Sequence, residues 1–360
     1  DIVVSTNNLT LNSGTFIESN TFNEGRLAGI PSGEGTGDAG TIKITGFNPL
    51  DPRETDPGGF ATASVTLNAD SEISTGTKGK GNAGSITIQT LALDLQGEIL
   101  STSEGNSSGI DRSAGETAGQ AGTIRIGQSL VDGAISDTIG SWIPATTVSI
   151  DGGLISTATN AEGEAGNIGI SANMLDLSDS TSEISSSSTG SVANLTSYGD
   201  AGLVFINAGT ANVEGSVNTK TQASGSAGDI TFNAANLTIS QTGKVESNTT
   251  TTSSGTAGNI TVNAGIGSVN GAIDSRSDGT GDAGIVNFSG GRLTIAGDGF
   301  VTSQTSGSGD AGAVNVIGNQ IILCDNAYAT SQTSGSGQAG IVTIQTDDLT
   351  LKDGAFLTTL

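Results

Sequence analysis

Carboxylates are the only abundant reactive side chains in this 360-residue chain: 36 Asp and Glu stand beside 12 Lys and Arg, one cysteine and no histidine. Without histidine there is no imidazole acid–base catalysis, no Ser-His-Asp or Cys-His nucleophile and no His-containing metal centre. Cys324 alone can form neither a thiolate cluster nor an internal disulfide. No glycine-rich turn runs into Lys-Ser/Thr and a helix, as a phosphate loop requires. What remains is carboxylate chemistry on polysaccharides, which needs Asp or Glu converging on a groove. Asp38, Glu164, Asp200, Asp282 and Asp310 share one slot of a repeated phrase, but Asn82, Gln120, Ser226, Thr256 and Gln338 fill that slot in other copies. A slot open to any small polar residue reads as a solvated corner, not as a catalytic row or a file of calcium ligands. No catalytic, cofactor-binding or metal set is therefore expected, and the chain is read as non-enzymatic. Phe300, Tyr328 and Phe356 recur every 28 residues and should stack, with Phe16 in the same local position. Pointing outward they could face a sugar ring; otherwise they stiffen a corner. With Trp142, which stands in an insertion, they are the candidate ligand contacts.

These residues are positioned by a repeat. Gly-x-Ala-Gly occurs ten times, starting at Gly37, Gly81, Gly119, Gly163, Gly199, Gly225, Gly255, Gly281, Gly309 and Gly337. The spacing falls from 44 residues to between 26 and 30 after Gly199. Such a period marks a stacked solenoid or a propeller. The second and fourth residues after every copy are apolar, from Ile42 and Ile44 to Val342 and Ile344, and eighteen of these twenty are β-branched. Alternation of that kind is a strand with one buried face, strand A. A second alternating pair follows, as in Leu93/Leu95 and Leu237/Ile239, and is strand B. The units after Gly199 and Gly255 shorten it to Val213 and Val269. A third aliphatic, such as Ile73, Val245 or Val301, marks strand C. A propeller blade needs four antiparallel strands in about 40 residues. Three strands in 26 to 30 residues fit one triangular coil of a parallel β-helix. The expectation is an all-β, right-handed parallel β-helix of about eleven coils over 1–360, with long decorated coils in 1–198 and short regular ones in 199–360.

Composition agrees. Hydrophobic residues are 34% and aromatics 3%, too few for a large globular core but enough for thin coils. Each coil would bury five or six aliphatics at roughly 1.5–3 kcal/mol apiece, largely offset by about 1–2 kcal/mol of ordering per residue. A single coil cannot stand alone, so cohesion comes from stacking, and eleven coils at about 4.8 Å make a rod of about 50 Å. A formal charge of −24 repels nucleic acid and anionic headgroups. No run of about 18 apolar residues is present, so membrane insertion is not expected.

Insertions lengthen the early units at two corners: Thr45–Ser64 and Gly127–Thr147 between A and B, and Glu18–Thr36, Ser101–Ala118 and Ser185–Tyr198 after C. Loops on a rigid rod are where recognition usually sits. The chain opens on Ile2-Val3-Val4 and closes on a strand C at Leu357, without a polar cap. The expectation is a segment of a longer array or, alternatively, end-to-end assembly; any export signal would lie outside this stretch.

The sequence Gly-Ser-Ala-Gly-Asp-Ile-Thr-Phe-Asn-Ala-Ala-Asn-Leu-Thr-Ile-Ser from Gly225, and Gly337–Leu360, carry the pattern best. It resembles the repeats of filamentous-haemagglutinin-like exoproteins, cyanobacterial type. The resemblance implies secretion to the cell surface by a two-partner system, with an outer-membrane pore as partner. It also implies an adhesive or filamentous role, with a surface glycan or protein as receptor. A carbohydrate-binding or carbohydrate-active β-helix, and a self-assembling fibre or surface-layer subunit, remain the alternatives.

Overall fold

The computed structural model describes residues 1–21, 37–46, 61–104, 117–127, 143–190, 198–222 and 224–360. The central parts of all five insertions, and Trp142 with them, lie outside the described residues. Among the described residues every regular element is a strand, and no helix is long and apolar enough to cross a membrane.

The strands stack into a parallel β-helix. One continuous path joins the A segments of eleven successive coils, from Ile2–Ser5 to Val342–Gln345, and a separate 11-stranded sheet joins the C segments, from Phe16–Asn20 to Phe356–Thr359. All pairings are parallel and keep equivalent residues in register: Ile230 lies opposite Ile260 and Ile260 opposite Val286, while Val245 lies opposite Ile273 and Ile273 opposite Val301. Register is fixed because a one-residue slip would turn each aliphatic column out into solvent. The inward columns form one continuous core from Leu11 to Ala329. In the outermost coils Ile2, Val4, Leu9, Ile17, Val342, Ile344 and Leu357 are only partly buried, since a coil covers them on one side alone.

Two features differ from the sequence expectation. In six coils A and B are not separate strands but one ten-residue strand: Ile168–Leu177, Val204–Val213, Ile230–Ile239, Ile260–Val269, Val286–Ile295 and Val314–Leu323. The corner between them is a slip in alternation. Ala235 and Asn236 both face solvent between buried Ala234 and Leu237, and a period-two strand can place two consecutive residues outward only by bending. Alternation then resumes with Leu237 and Ile239 inward, so one strand serves two walls. The corner from B to C is instead a turn, with left-handed backbone at Asp70, Gly152, Gly297, Asp325, Asn326 and Gly354, residues that tolerate that conformation.

The second difference concerns Val213 and Val269. Strand B is full length in both coils; only its first inward side chain has shrunk, to Ala211 and Gly267, which pair in register with Leu237. The missing volume beside Gly267 is supplied by the next coil. A Cβ on Gly267 would lie 2.8 Å from Cζ of Phe288, a fully buried ring. Phe288→Ala should therefore empty a space that neither Gly267 nor its neighbours can refill, and cost about 3–5 kcal/mol. The double variant Phe288→Val with Gly267→Leu should recover a good part of that loss in urea denaturation. A double variant no more stable than Phe288→Ala would show that the ring does not fill the gap.

Candidate functional site

The outer face of the C sheet carries the aromatic ladder. Strand C places its first, third and fifth residues outward and its second, fourth and sixth inward. In the last coils this gives parallel outer columns: Phe300, Tyr328 and Phe356; then Asp274, Thr302, Thr330 and Thr358; then Arg276, Gln304 and Gln332. The three rings stand one per coil. Phe300 and Tyr328 have centroids 5.3 Å apart with an interplanar angle of 12°, and Tyr328 and Phe356 are 5.1 Å apart at 6°. Parallel rings at this spacing turn their faces to one another and their edges to solvent. A sugar ring stacks on an open aromatic face, and between these coils no face is open. The ladder thus acts as a stacked rib along one corner, with Phe356 its most exposed member. Burial, and then the charge of Asp274, push the Tyr328 phenol above its ordinary value.

Beside the rib lies a polar ridge in which Gln332 Nε2 donates to Gln304 Oε1 at 2.8 Å. It borders an open groove of about 280 Å³ lined by Arg276, Asp278, Gln304, Ser306, Gln332 and Leu360 among others. Arg276 Nε donates to Asp278 Oδ1 at 2.7 Å, which ties the one cation of the groove to its neighbour.

A second groove, of about 360 Å³, opens six coils earlier at the opposite end of strand C, where strand B turns into it, between Asp70, Ser71, Glu72, Gln96, Glu98, Gly152 and Leu154. Glu72 and Glu98 are register partners on adjacent coils. Partial burial, and then the Glu72 charge, raise the Glu98 carboxyl above its ordinary value. Neither residue stands out in the sequence. The available signal is positional: both occupy the first place of strand C, the place of Phe16 and of the aromatic ladder.

The acids of the repeated phrase do not converge on a groove. They line up along the rod and make a hydrogen-bond ladder between coils. Asp38 Oδ1 accepts from the Asn82 amide at 2.7 Å, Asp200 Oδ1 from Ser226 at 2.6 Å, Asp282 Oδ1 from Asp310 at 2.8 Å and Asp310 Oδ1 from Gln338 at 2.7 Å. Neutral Asn82 does the same for Gln120 at 2.9 Å. A short acceptor side chain in the slot bonds the next coil, so Asp, Asn and Ser interchange there. Cys324 is buried at the end of strand B, and burial raises its thiol above the ordinary value.

No family model, curated protein or solved structure matches this chain.

Proposed function

We propose that this chain is a non-enzymatic structural and adhesive rod of a secreted, cell-surface or filamentous protein. The observation that carries the reading is the unbroken register of eleven parallel coils around one aliphatic core. Such an array holds its surface rigid over a length that no single coil could, at a high negative charge that keeps rods apart in solution. The sequence resemblance to filamentous-haemagglutinin-like repeats supports placing it outside the cell, with an outer-membrane pore as export partner. The purified chain should be a folded, elongated monomer by small-angle scattering and should bind immobilised cell-surface glycans or proteins without turning them over. A compact particle, or release of reducing ends from a polysaccharide panel, would count against this reading.

The second reading, a carbohydrate-active β-helix, is favoured at one place, the groove of Glu72 and Glu98. A carboxyl with a raised proton affinity beside an ionised one is the pairing that glycoside hydrolysis uses. If that reading holds, a hydrolytic activity should fall by at least about a hundredfold in Glu98→Gln and should fade as pH rises above the Glu98 titration. Activity indifferent to both carboxylates would leave the groove without a catalytic role.

A further inference from the structure

Asp274 is an outward-facing residue that is nevertheless only 4% exposed. It sits between inward Ile273 and Ser275 on strand Ala272–Ser277, with Lys244–Thr249 on one side and Phe300–Thr305 on the other. From the following coil the Thr302 hydroxyl donates to Oδ1, and Gln304 Nε2 donates to Oδ2 at 2.9 Å. That strand presents no ionisable group. From the preceding coil Glu246 stands directly in register with Asp274. On its own strand Arg276 lies two residues on, and Asp278 follows. Each cation of the cluster has a nearer carboxylate: Lys244 lies 3.8 Å from Glu246, and Arg276 lies 2.7 Å from Asp278, although the Arg276 charge also reaches Asp274 and favours its ionised form. The phenol of Tyr328, two coils on, also feels the Asp274 charge. Asp274 is thus a carboxylate out of water, beside a like charge, with two neutral donors as its immediate hydrogen-bond partners.

We propose that Lys244, Glu246, Asp274, Arg276, Asp278 and Tyr328, with Thr302 and Gln304, form an acid-tightened clamp across four consecutive coils, closed when Asp274 takes up a proton. Ionised Asp274 leaves a buried charge facing Glu246 across one strand spacing. Protonation removes that repulsion and the desolvation cost while the carboxyl keeps its place between Thr302 and Gln304. Burial, partly offset by those two hydrogen bonds, pushes the Asp274 carboxyl up to about 6 from its ordinary 3.8. Because the folded value lies above the unfolded one, the folded rod binds the extra proton in the window between them. The stabilisation is fully present below the unfolded value and is lost as pH rises through the folded one. The clamp stands on this geometry and does not depend on the adhesive reading.

The test uses the whole chain. Carboxyl-carbon NMR should show Asp274 titrating near pH 6, and Glu246→Gln should move that midpoint to lower pH. The thermal midpoint of the wild type should rise between pH 7.5 and pH 5 by about 2 °C more than that of Asp274→Asn. Amide exchange across Ala272–Thr305, corrected for intrinsic rate, should slow over the same range in the wild type. Asp274 titrating with the ordinary carboxylates, or an unchanged midpoint in Glu246→Gln, would overturn the proposal. The wild-type titration decides the matter even if Asp274→Asn folds poorly.

Discussion

Alanine at Gly258 is expected to break the rod in the middle. A Cβ on Gly258 would lie 2.1 Å from the carbonyl oxygen of Gly228 and 2.4 Å from its carbonyl carbon, and one on Gly228 would lie 2.0 Å from the Gly202 oxygen. The first glycine of the phrase is as tight: a Cβ on Gly255 would meet the Gly225 oxygen at 2.0 Å. These obstacles are backbone, so no rotamer change relieves them. Adjacent coils would have to separate locally by about 1 Å while the A and C ladders on either side hold them at about 4.8 Å. Overpacking of this kind costs typically 1–3 kcal/mol when side chains can give way; against backbone the expected loss is roughly 4 kcal/mol or more. Because each coil is coupled only to its neighbours, the damage should split one unfolding transition into two. Thr256→Ala, which alters only the exposed residue of the same phrase, should stay within about 1 kcal/mol of wild type. Urea denaturation followed by circular dichroism compares the three proteins. A Gly258→Ala transition that overlays the wild type would mean that the coils are not in close backbone contact at this corner.

The same corner shows what the sequence makes legible. The phrase Gly-x-Ala-Gly is visible because its constraint falls on residue type: only glycine fits where backbone meets backbone. The A and C columns are legible because a β-branched residue recurs at the same offset, from Ile42 to Val342 and from Ile73 to Val301. Two things are not legible. The joined A and B strands depend on a bend at positions such as Ala235 and Asn236, where any residue that can face solvent suffices, so composition there records nothing. The volume beside Gly267 is supplied by Phe288 on another coil, and a pattern read within one unit cannot pair them. The candidate sites fare likewise. Glu72, Glu98 and Asp274 acquire their environments from residues 26 to 56 positions away, such as Leu154 in the coil above Glu98 or Gln304 above Asp274. Spacing alone does not distinguish such carboxylates from the solvated acids of the phrase.

A further column is written completely in the sequence. Two residues after every strand C aliphatic stands a hydroxyl: Ser19, Thr75, Ser101, Thr157, Ser186, Thr219, Ser247, Ser275, Ser303, Ser331 and Thr359. By the period-two rule these point inward, and from Thr75 to Ser331 they are buried. Polar residues are ordinarily taken as outward, which conceals them. Inside the rod they meet the second glycine of the phrase. A glycine that packs so closely on its neighbour cannot also form a regular ladder, so its amide and carbonyl need another partner. The serine supplies it.

Ser275→Ala should therefore cost far more than the loss of one hydroxyl on a surface. Ser275 Oγ donates to the Gly258 carbonyl at 2.9 Å and accepts from the Gly284 amide at 2.8 Å, so it ties the corner of one coil to the next. Ser303 repeats the arrangement with Gly284 and Gly312, both at 2.8 Å. Alanine strands a buried carbonyl and a buried N–H on adjacent coils at once. At about 1–3 kcal/mol for each unsatisfied group, the expected loss is roughly 2–6 kcal/mol, with faster amide exchange at Gly284. Threonine is the informative comparison. Thr157 and Thr219 donate forward, to the glycine carbonyls of Gly166 and Gly228 on the following coil. Ser275→Thr should thus keep a donor but lose the acceptor for Gly284, and fall between serine and alanine. Valine, which keeps the bulk of threonine without the hydroxyl, should do no better than alanine. If valine matches threonine, the column contributes volume and the two hydrogen bonds carry none of the coupling between coils.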